Sequence, residues 1–350
     1  MSRQCSLKDI AIECGLSVST VSQILKNSSR DYSSEETRRK VRETARRLGY
    51  KKNYGYQLMH GQKTMTVALM ASMEFMRAEE HVSRLVIELM ACFDLHGYAS
   101  YFNTFVDDAQ QNLNKVRDLM ARGVECFVMI GAPVGHQNLE EMIRDNGGYV
   151  ISSSKDLTNH IFIGDLDASR RLINYLGAKS DDRICYISLN HLHGGRFDAL
   201  CEHFPELQPE EVIRNYTCDS AKFGCSGRDY AESAFRAGFA ATEHWLSQHP
   251  ETRAFFYMND NLAQGGVAYL IQKGMRIGVD AWVAGYNNDI AIRNAPYPIS
   301  SADHDWEKNA PLFVEKSLKH EICQLNLNAA VHIREYVPGT LQIREITDNG

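Results

Sequence analysis

A run of basic side chains near the N-terminus has the composition of a phosphate-binding surface. Its members lie between positions 38 and 47 and are Arg38, Arg39, Lys40, Arg42, Arg46 and Arg47. Alone, such a run is typical of a solvated helix face. Here it follows two short helical segments, and Lys and Arg beside a helix pair that docks on DNA commonly neutralise phosphates. The first 50 residues therefore predict contacts with nucleic acid.

A second set of polar residues stands directly after segments that are predicted to be strands. Arg196 follows one such segment, Asn259 and Asp260 follow another, and Asn287 follows a third. Ligands of open α/β sheets bind at the carboxyl ends of the strands. An amide both donates and accepts hydrogen bonds, and a guanidinium donates several. The pattern predicts a binding site for a small polar molecule at these strand ends.

Short helices must position the basic run. Ser6 is predicted to cap a first helix that ends at Gly15, and Ser17 to cap a second one. Two short helices joined by a turn with glycine form the helix-turn-helix pattern. For a third helix, Ser33 and Glu36 match an S-x-x-E capping box. An all-α helix-turn-helix head is thus predicted for residues 1–50.

From Met65 onward, short apolar segments alternate with amphipathic ones. The predicted strands include 66–71, 126–130, 184–189, 254–258 and 282–285, and the predicted helices include 81–96, 113–122, 231–247 and 262–273. Such alternation indicates parallel sheets that are covered by helices on both faces. About 280 residues is long for one domain of this kind. We therefore predict an α/β core of two lobes, each with a doubly wound parallel sheet.

Charge is distributed unevenly along the 350 residues. The net charge of −6 combines +6 for residues 1–62, which hold 12 Lys and Arg against 6 Asp and Glu, with −12 for the rest. A basic head on an acidic body indicates that the head meets a polyanion. No apolar stretch is long enough to span a membrane and the first residues lack the apolar region of a signal peptide, so we expect a cytoplasmic protein. The nine cysteines include no C-x-x-C pair, and neither a metal nor a cofactor is predicted.

Residues 6–64 resemble the DNA-binding head of the lactose-repressor/galactose-repressor (LacI/GalR) family. The segments that carry the resemblance are Leu7-Lys8-Asp9-Ile10-Ala11, Gly15-Leu16-Ser17-Val18-Ser19-Thr20-Val21-Ser22, Arg39-Lys40-Val41 and Leu48-Gly49-Tyr50. The resemblance implies a sequence-specific transcription regulator of the repressor type, with double-stranded DNA as its partner.

The resemblance also implies which side chains of the head meet DNA. The base-reading positions are Val18, Ser19 and Gln23, and the phosphate-contacting or capping positions are Ser6, Ser17, Thr20 and Ser22. The family usually has Arg where this chain has Gln23. Arg reads guanine in bidentate fashion whereas Gln suits adenine, so we expect a shifted operator preference.

Residues 51–64 are predicted to be a hinge. In the family this stretch becomes helical on DNA and inserts an apolar side chain into the minor groove, which kinks the duplex. The resemblance assigns that side chain to Met59, with Leu58 beside it, and matches Asn53 to a DNA-contacting position. Tyr56 departs from the family's common alanine.

Residues 65–350 resemble, more distantly, the periplasmic-binding-protein-like core of the same family. The resemblance implies a first lobe at about 65–163 and 300–330, and a second lobe at about 164–299 and 331–346, which close over a sugar-like effector. It places seven residues in the effector pocket: Phe75, Asp165, Arg196, Asn259, Asp260, Asn287 and His304. The family commonly has Asp where this chain has Asn287, which argues against an effector with a cationic group.

The resemblance further implies a homodimer on a near-palindromic operator, since a two-fold dimer reads a two-fold site. Only a few residues follow Ile346, too few for a heptad repeat that would join dimers into a tetramer.

Three other functions compete with this interpretation. An enzyme is disfavoured because no G-x-S-x-G, H-E-x-x-H, P-loop or dinucleotide motif occurs, and because His191 and His193 have no third metal ligand near them. An exported sugar-binding protein would not carry a basic head. A regulator with a degenerate pocket, responding to a protein partner or a non-sugar metabolite, stays open because of Asn287 and the unmatched stretch 205–228.

Overall fold

In a computed structural model, the residues described are 5–25, 31–50, 64–180, 183–189, 194–224 and 230–348. Their contacts separate the chain into two units, Met1–Thr64 and Met65–Gly350. The predicted hinge contacts Asn53, Leu58 and Met59 lie outside the described residues, as do His191 and His193. None of the helices in the described ranges is both long and apolar enough to cross a bilayer.

The first helix of the head begins and ends as predicted, and the second begins as predicted. At the start of the first helix, the Ser6 hydroxyl accepts the Asp9 N–H (3.4 Å) and the Asp9 carboxylate accepts the Ser6 N–H (2.8 Å). Gly15 ends this helix in a left-handed conformation, with φ of 69°. The Ser17 hydroxyl accepts the Thr20 N–H (3.0 Å) and so caps the second helix. The helices are α1 (Leu7–Cys14), α2 (Val18–Leu25) and α3 (Glu35–Arg47).

The third helix begins one residue later than the predicted capping box requires. Its N-cap is Ser34, whose hydroxyl accepts the Thr37 N–H (3.3 Å). The Asp31 carboxylate accepts the Ser33 N–H (2.9 Å), and this bond holds Ser33 in the preceding turn. The predicted Ser33–Glu36 box is therefore wrong.

The apolar stripes of the three helices meet in a small core. Ile10, Val21, Ile24 and Val41 are fully buried there. Burying such a side chain contributes roughly 1.5–3 kcal/mol relative to leaving it in water. Because these stripes point inward, the polar side of α2 remains at the surface of the head.

Two sheets form the body. In the described residues the first sheet is parallel throughout, and its strands lie in the order Gln324–Asn328, His160–Gly164, Tyr149–Ser152, Cys126–Ile130, Thr66–Ser72 and Ala99–Phe105. In the second sheet the strand Ala330–Tyr336 pairs antiparallel with both of its neighbours and the other pairs are parallel; the order is Ile343–Asp348, Ala330–Tyr336, Ser300–Asp303, Trp282–Tyr286, Ala254–Tyr257, Ile184–Ser188 and Thr217–Asp219. The predicted α/β core of two doubly wound sheets is confirmed, with an antiparallel edge on the second sheet.

The strands follow one another along the chain in the expected alternation with helices. They are β1 (Thr66–Ser72), β2 (Ala99–Phe105), β3 (Cys126–Ile130), β4 (Tyr149–Ser152), β5 (His160–Gly164), β6 (Ile184–Ser188), β7 (Thr217–Asp219), β8 (Ala254–Tyr257), β9 (Trp282–Tyr286), β10 (Ser300–Asp303), β11 (Gln324–Asn328), β12 (Ala330–Tyr336) and β13 (Ile343–Asp348). Central strands such as β3 are buried along their whole length, which is why their sequences are continuously apolar.

Helices cover both faces of the two sheets. They are α4 (Met73–Ala78), α5 (Glu80–Leu95), α6 (Ala109–Ala121), α7 (His136–Asp145), α8 (Leu166–Lys179), α9 (Gly194–His203), α10 (Pro209–Tyr216), α11 (Tyr230–Gln248), α12 (Asp260–Gln272), α13 (Ile290–Arg293) and α14 (Trp306–Lys319). Helix α12 comes so close to strand β8 that a Cβ at Gly266 would overlap the Tyr257 hydroxyl.

The chain passes between the two sheets after β5, after β10 and after β11. Residues 300–303, which the predicted boundary placed in the first lobe, form β10 of the second sheet. They stay there because Ser300–Ala302 pair with β9 and Ser301–Asp303 pair with β12. The return to the first lobe therefore begins after Asp303. The unmatched stretch 205–228 supplies α10 and the edge strand β7, which pairs with β6.

Candidate functional site

Helix α2 presents the polar surface that was predicted to read DNA. Ser17, Val18 and Ser19 are exposed, and Val18 is 44% exposed although its side chain is apolar. Thr20, Ser22 and Gln23 are half-buried along the same helix. The Ser17 and Thr20 hydroxyls bond each other (2.8 Å), and Ser6 belongs to the α1 cap. Capping thus occupies Ser6 and Ser17, while the surface between Val18 and Gln23 remains open to a partner.

Part of the basic run on α3 stabilises the head itself. Arg38 forms ion pairs with Asp31 (2.7 Å) and Glu35 (3.2 Å). Lys40 donates to the Cys14 carbonyl (3.2 Å). This carbonyl lies at the end of α1, where the helix itself supplies no donor. These side chains are therefore engaged within the head, in addition to any role toward phosphates.

In the body, a cavity of about 1220 Å³ opens where the carboxyl ends of the two sheets face each other. Most of the residues predicted to bind the effector line it: Phe75, Asp165, Arg196, Asn259, Asn287 and His304. The exception is Asp260, which is fully buried behind the wall. Strand ends and helix starts bring the six together from both lobes, as the positions of their segments predicted.

Arg196, on the first turn of α9, is buried in the second-lobe wall. Its guanidinium donates to the Met258 carbonyl (2.6 Å) and lies 3.3 Å from the Asp165 carboxylate. The same group stacks on the Tyr286 ring, 3.8 Å from the ring centroid. These contacts fix the guanidinium in one position at the edge of the cavity.

Glu79, from the first lobe, is a residue of this site that sequence reasoning missed. Its carboxylate accepts hydrogen bonds from the side-chain amides of Asn259 (3.0 Å) and Asn287 (2.8 Å), both of the second lobe. Burial raises the pKa of Glu79 to about 7, against the opposing effects of Arg196 and the two amides. A signal for it existed, since Glu79 follows the carboxyl end of β1 just as Arg196 follows β6, but the short helix α4 intervenes.

His304 lies in a stack of rings on the cavity floor. Its ring is parallel to that of His81 (centroids 4.5 Å apart) and to that of Trp306 (5.1 Å). Burial, followed by the charges of Arg196 and Arg84, lowers the pKa of His304 to about 3. Burial likewise lowers the pKa of His81 well below its usual range. Both imidazoles are thus neutral, and both rings line the cavity.

Asp260 positions the wall of the cavity. One oxygen of its carboxyl group accepts the Asp289 N–H (2.8 Å) and the other accepts the Ser301 hydroxyl (2.9 Å). The Ser301 hydroxyl in turn accepts the Asn288 N–H (3.0 Å), and the Asn288 side-chain oxygen accepts from Arg334 (2.8 Å). Burial raises the pKa of Asp260 well above its usual range. This network holds the loop after β9, where Asn287 and Asn288 have φ of 106° and 50°.

Arg84 makes a second connection between the lobes. It lies on α5 and donates to the Asp303 carboxylate (3.2 Å) at the end of β10. The same guanidinium donates to the carbonyls of Asn287 and Asn288 (3.4 Å each). The start of α5 therefore contacts the second lobe through both Glu79 and Arg84.

Comparisons with known proteins agree with this architecture. Residues 6–53 match "Bacterial regulatory proteins, lacI family", and residues 207–345 match "Periplasmic binding protein-like domain". The HTH-type transcriptional regulator RegA of Clostridium saccharobutylicum is 22% identical over 82% of this chain and 83% of its own length. Catabolite control protein A of Priestia megaterium is 20% identical over 81% of this chain and 82% of its own length.

Solved structures share the fold over most of the chain. A lac repressor dimer bound to operator and the anti-inducer ONPF superposes with a TM-score of 0.70 at 18% identity, covering 94% of this chain and 98% of that one. A complex of the transcriptional regulator CelR with cellobiose gives a TM-score of 0.58 at 17% identity, covering 99% and 100%.

Proposed function

The chain belongs to the lacI family of bacterial regulatory proteins, and on this premise we propose that it recognises a near-palindromic operator as a homodimer and that a sugar-like effector in the cavity changes its affinity for DNA. The observation that carries the proposal is the cavity itself, because polar side chains of both lobes converge on it. A ligand that bridges the lobes alters the balance between their arrangements.

The DNA part of the proposal rests on the head. Its charge of +6 over residues 1–62 attracts a polyanion, and the exposed side chains of α2 have the size to enter the major groove. The related structure of the lac repressor is bound to its operator as a dimer. Val18, Ser19 and Gln23 are the proposed base-reading residues, with Ser17, Thr20 and Ser22 beside the phosphates.

The effector part rests on the chemistry of the cavity wall. Ligand sites for small molecules measure roughly 300–1,000 Å³, and a cavity of about 1220 Å³ holds a mono- or disaccharide with water. Amide and guanidinium groups bind hydroxyls, while the exposed Phe75 ring offers an apolar face to a sugar ring. The CelR relative binds cellobiose. A pocket of this size with converging polar groups favours an effector over a degenerate site.

A second copy of the chain is the proposed partner of an apolar surface on the first lobe. Ile87 (62% exposed) and Met90 (41%) lie one helical turn apart on α5, and Phe102 (38%) lies on the edge strand β2, on the sheet face that α5 covers. Replacing Ile87 by Asp puts a charge into this surface, so the variant should elute as a monomer where the parent is a dimer. Light scattering after gel filtration measures this. An unchanged dimer would place the interface elsewhere.

The function is tested first by selecting DNA from a randomised pool with the purified full-length protein at two salt concentrations. An enriched inverted repeat, bound more weakly at higher salt, supports an operator-binding dimer. Neutral, amino and acidic sugars are then titrated into the complex, and a shift in operator affinity identifies the effector class. By linkage, the operator must shift the affinity for that sugar by the same factor. No enriched sequence would contradict the DNA part, and no response to any sugar would contradict the effector part.

A further inference from the structure

The cavity wall carries more acidic than basic side chains. Glu74, Glu79, Asp165 and Asp198 line it, against Lys155 and Arg196. The charge of Arg196 is already balanced, because its guanidinium lies 3.3 Å from the Asp165 carboxylate. The excess negative charge therefore belongs to the remaining carboxylates, of which Glu79 is the deepest.

Glu79 is held by amides and not by a cation. In the described part of the chain, its hydrogen-bond donors are the amides of Asn259 and Asn287, and no guanidinium or ammonium group lies within ion-pair distance. His81 lies 3.8 Å away, but its lowered pKa keeps the ring uncharged. A carboxylate that loses water without gaining a cation is destabilised in its charged form.

The position of this carboxylate also bears on the charge expected from Asn287. With Asn287 in place of the family's common Asp, the pocket was expected to carry less negative charge. The Glu79 carboxylate lies 2.8 Å from the Asn287 amide nitrogen, so the first lobe returns a carboxylate to the same corner of the cavity. The expectation that a cationic group is disfavoured, drawn from Asn287 alone, does not account for this side chain.

We propose that the effector carries a protonated amine, as an amino sugar does, and that this amine forms an ion pair with Glu79. The inference rests on the proposed effector function and adds the charge of the ligand to it. The amine supplies the cation that Glu79 lacks, while Arg196 and the two amides bind hydroxyls. Phe75, 63% exposed, offers an apolar face to the carbons of the sugar ring.

The titration of Glu79 gives the expected dependence on pH. The groups that face it are Arg196 on α9, the amides after β8 and β9, His81 on its own helix and Asp289 in the loop after β9. With a pKa of about 7, Glu79 is largely protonated below neutral pH. Binding of an amine requires the ionised form, so affinity falls as the pH falls below 7, and binding near pH 6.5 releases up to about one proton.

The test compares three matched sugar series on the purified full-length protein by calorimetry at pH 7. The series are glucose, galactose and mannose, their 2-amino derivatives, and the N-acetyl forms of those amines, which keep the nitrogen but lose the charge. At least one free amine should bind about 10- to 100-fold more tightly than its parent sugar and its N-acetyl form, as for a hydrogen bond to a charged group.

The variant Glu79→Gln should lose this preference, whereas Glu88→Gln, on the same helix but away from the cavity, should keep it. A neutral sugar that binds as tightly as its amine, or a preference that survives in Glu79→Gln, overturns the inference but leaves the proposed effector function standing. Failure of every sugar to bind overturns both. If Glu79→Gln does not fold, calorimetry of the parent protein decides, since an N-acetyl form that binds as tightly as its free amine contradicts the inference.

Discussion

Replacing Arg196 by Met tests how far one side chain stabilises the cavity and transmits the effector signal. Met retains most of the apolar volume but removes the hydrogen bond to the Met258 carbonyl, the ion pair with Asp165 and the contact with the Tyr286 ring. These are worth roughly 1.5–3, 1 and 1–2 kcal/mol respectively, the ion pair being reduced because Asp165 is partly exposed.

Removing the buried guanidinium also removes its cost of desolvation, so the net loss is smaller than the sum. We expect a net loss of about 2–3 kcal/mol in the free energy of unfolding. For a unit of this size, roughly 2–4 °C per kcal/mol corresponds to a fall in Tm of about 4–12 °C.

The assay pairs urea unfolding with operator binding, each with and without sugar. Because the head is a separate unit, operator affinity in the absence of sugar should stay within about threefold, while the response to sugar disappears. The matched control is Arg170→Met, which removes a surface ion pair with Glu202 whose side chains are 44% and 47% exposed, and it should leave the free energy of unfolding nearly unchanged. A loss for Arg196→Met no larger than for the control, or an intact sugar response, would refute the reasoning.

Three further predictions concern the head, the core and the titration of the body. Gln23→Arg should move the selected operator toward guanine at one position of each half-site, and an unchanged selection would show that Gln23 reads no base. Gly266→Ala forces a methyl group into the Tyr257 hydroxyl and should destabilise the protein by about 1–3 kcal/mol; Gly164→Ala, where a Cβ would stay 3.5 Å from its nearest neighbour, should be near neutral in the same urea titration. His304, with a folded pKa of about 3 against 6.5 when unfolded, contributes stability above pH 6.5 that is lost as the pH falls toward 3. His304→Asn should therefore lose less stability between pH 7 and 4.5 than the parent, and equal losses would contradict the lowered pKa.

Local patterns in the sequence predicted the head well because its determinants are short-range. Ser6, Gly15 and Ser17 act within one helical turn, and the structure confirms all three caps. The predicted N-cap of the third helix was wrong because the choice between Ser33 and Ser34 depends on Asp31, which lies outside the S-x-x-E pattern.

In the body, the strands and helices were predictable because apolar periodicity reports burial directly. Sheet membership was harder to predict, since β10 joins the second sheet through pairing with β9 and β12. Its Ser300 pairs with Ala284, and its Ser301 pairs with His332. Pairing between distant segments leaves no local pattern in the chain.

Some cavity residues could also be predicted from local sequence, whereas others depend on contacts between distant segments. Arg196 and Asn287 were found because each follows a strand, and the structure brings both to the wall. Asp260 has the same signal but turns into the core, because Ser301 on β10, two strands away, donates its hydroxyl. Glu79 was missed because its partners, Asn259 and Asn287, are about two hundred positions away and on the other lobe.

The network around Asp260 has a consequence for how this family can diverge. Asp260, Ser301, Asn288 and Arg334 form one chain of buried hydrogen bonds. Changing a single member leaves a buried polar group without its partner, which costs about 1–3 kcal/mol. Descendants of this sequence should therefore exchange these four positions together, so that the set is inherited as a unit while the cavity residues in front of it vary singly with the ligand.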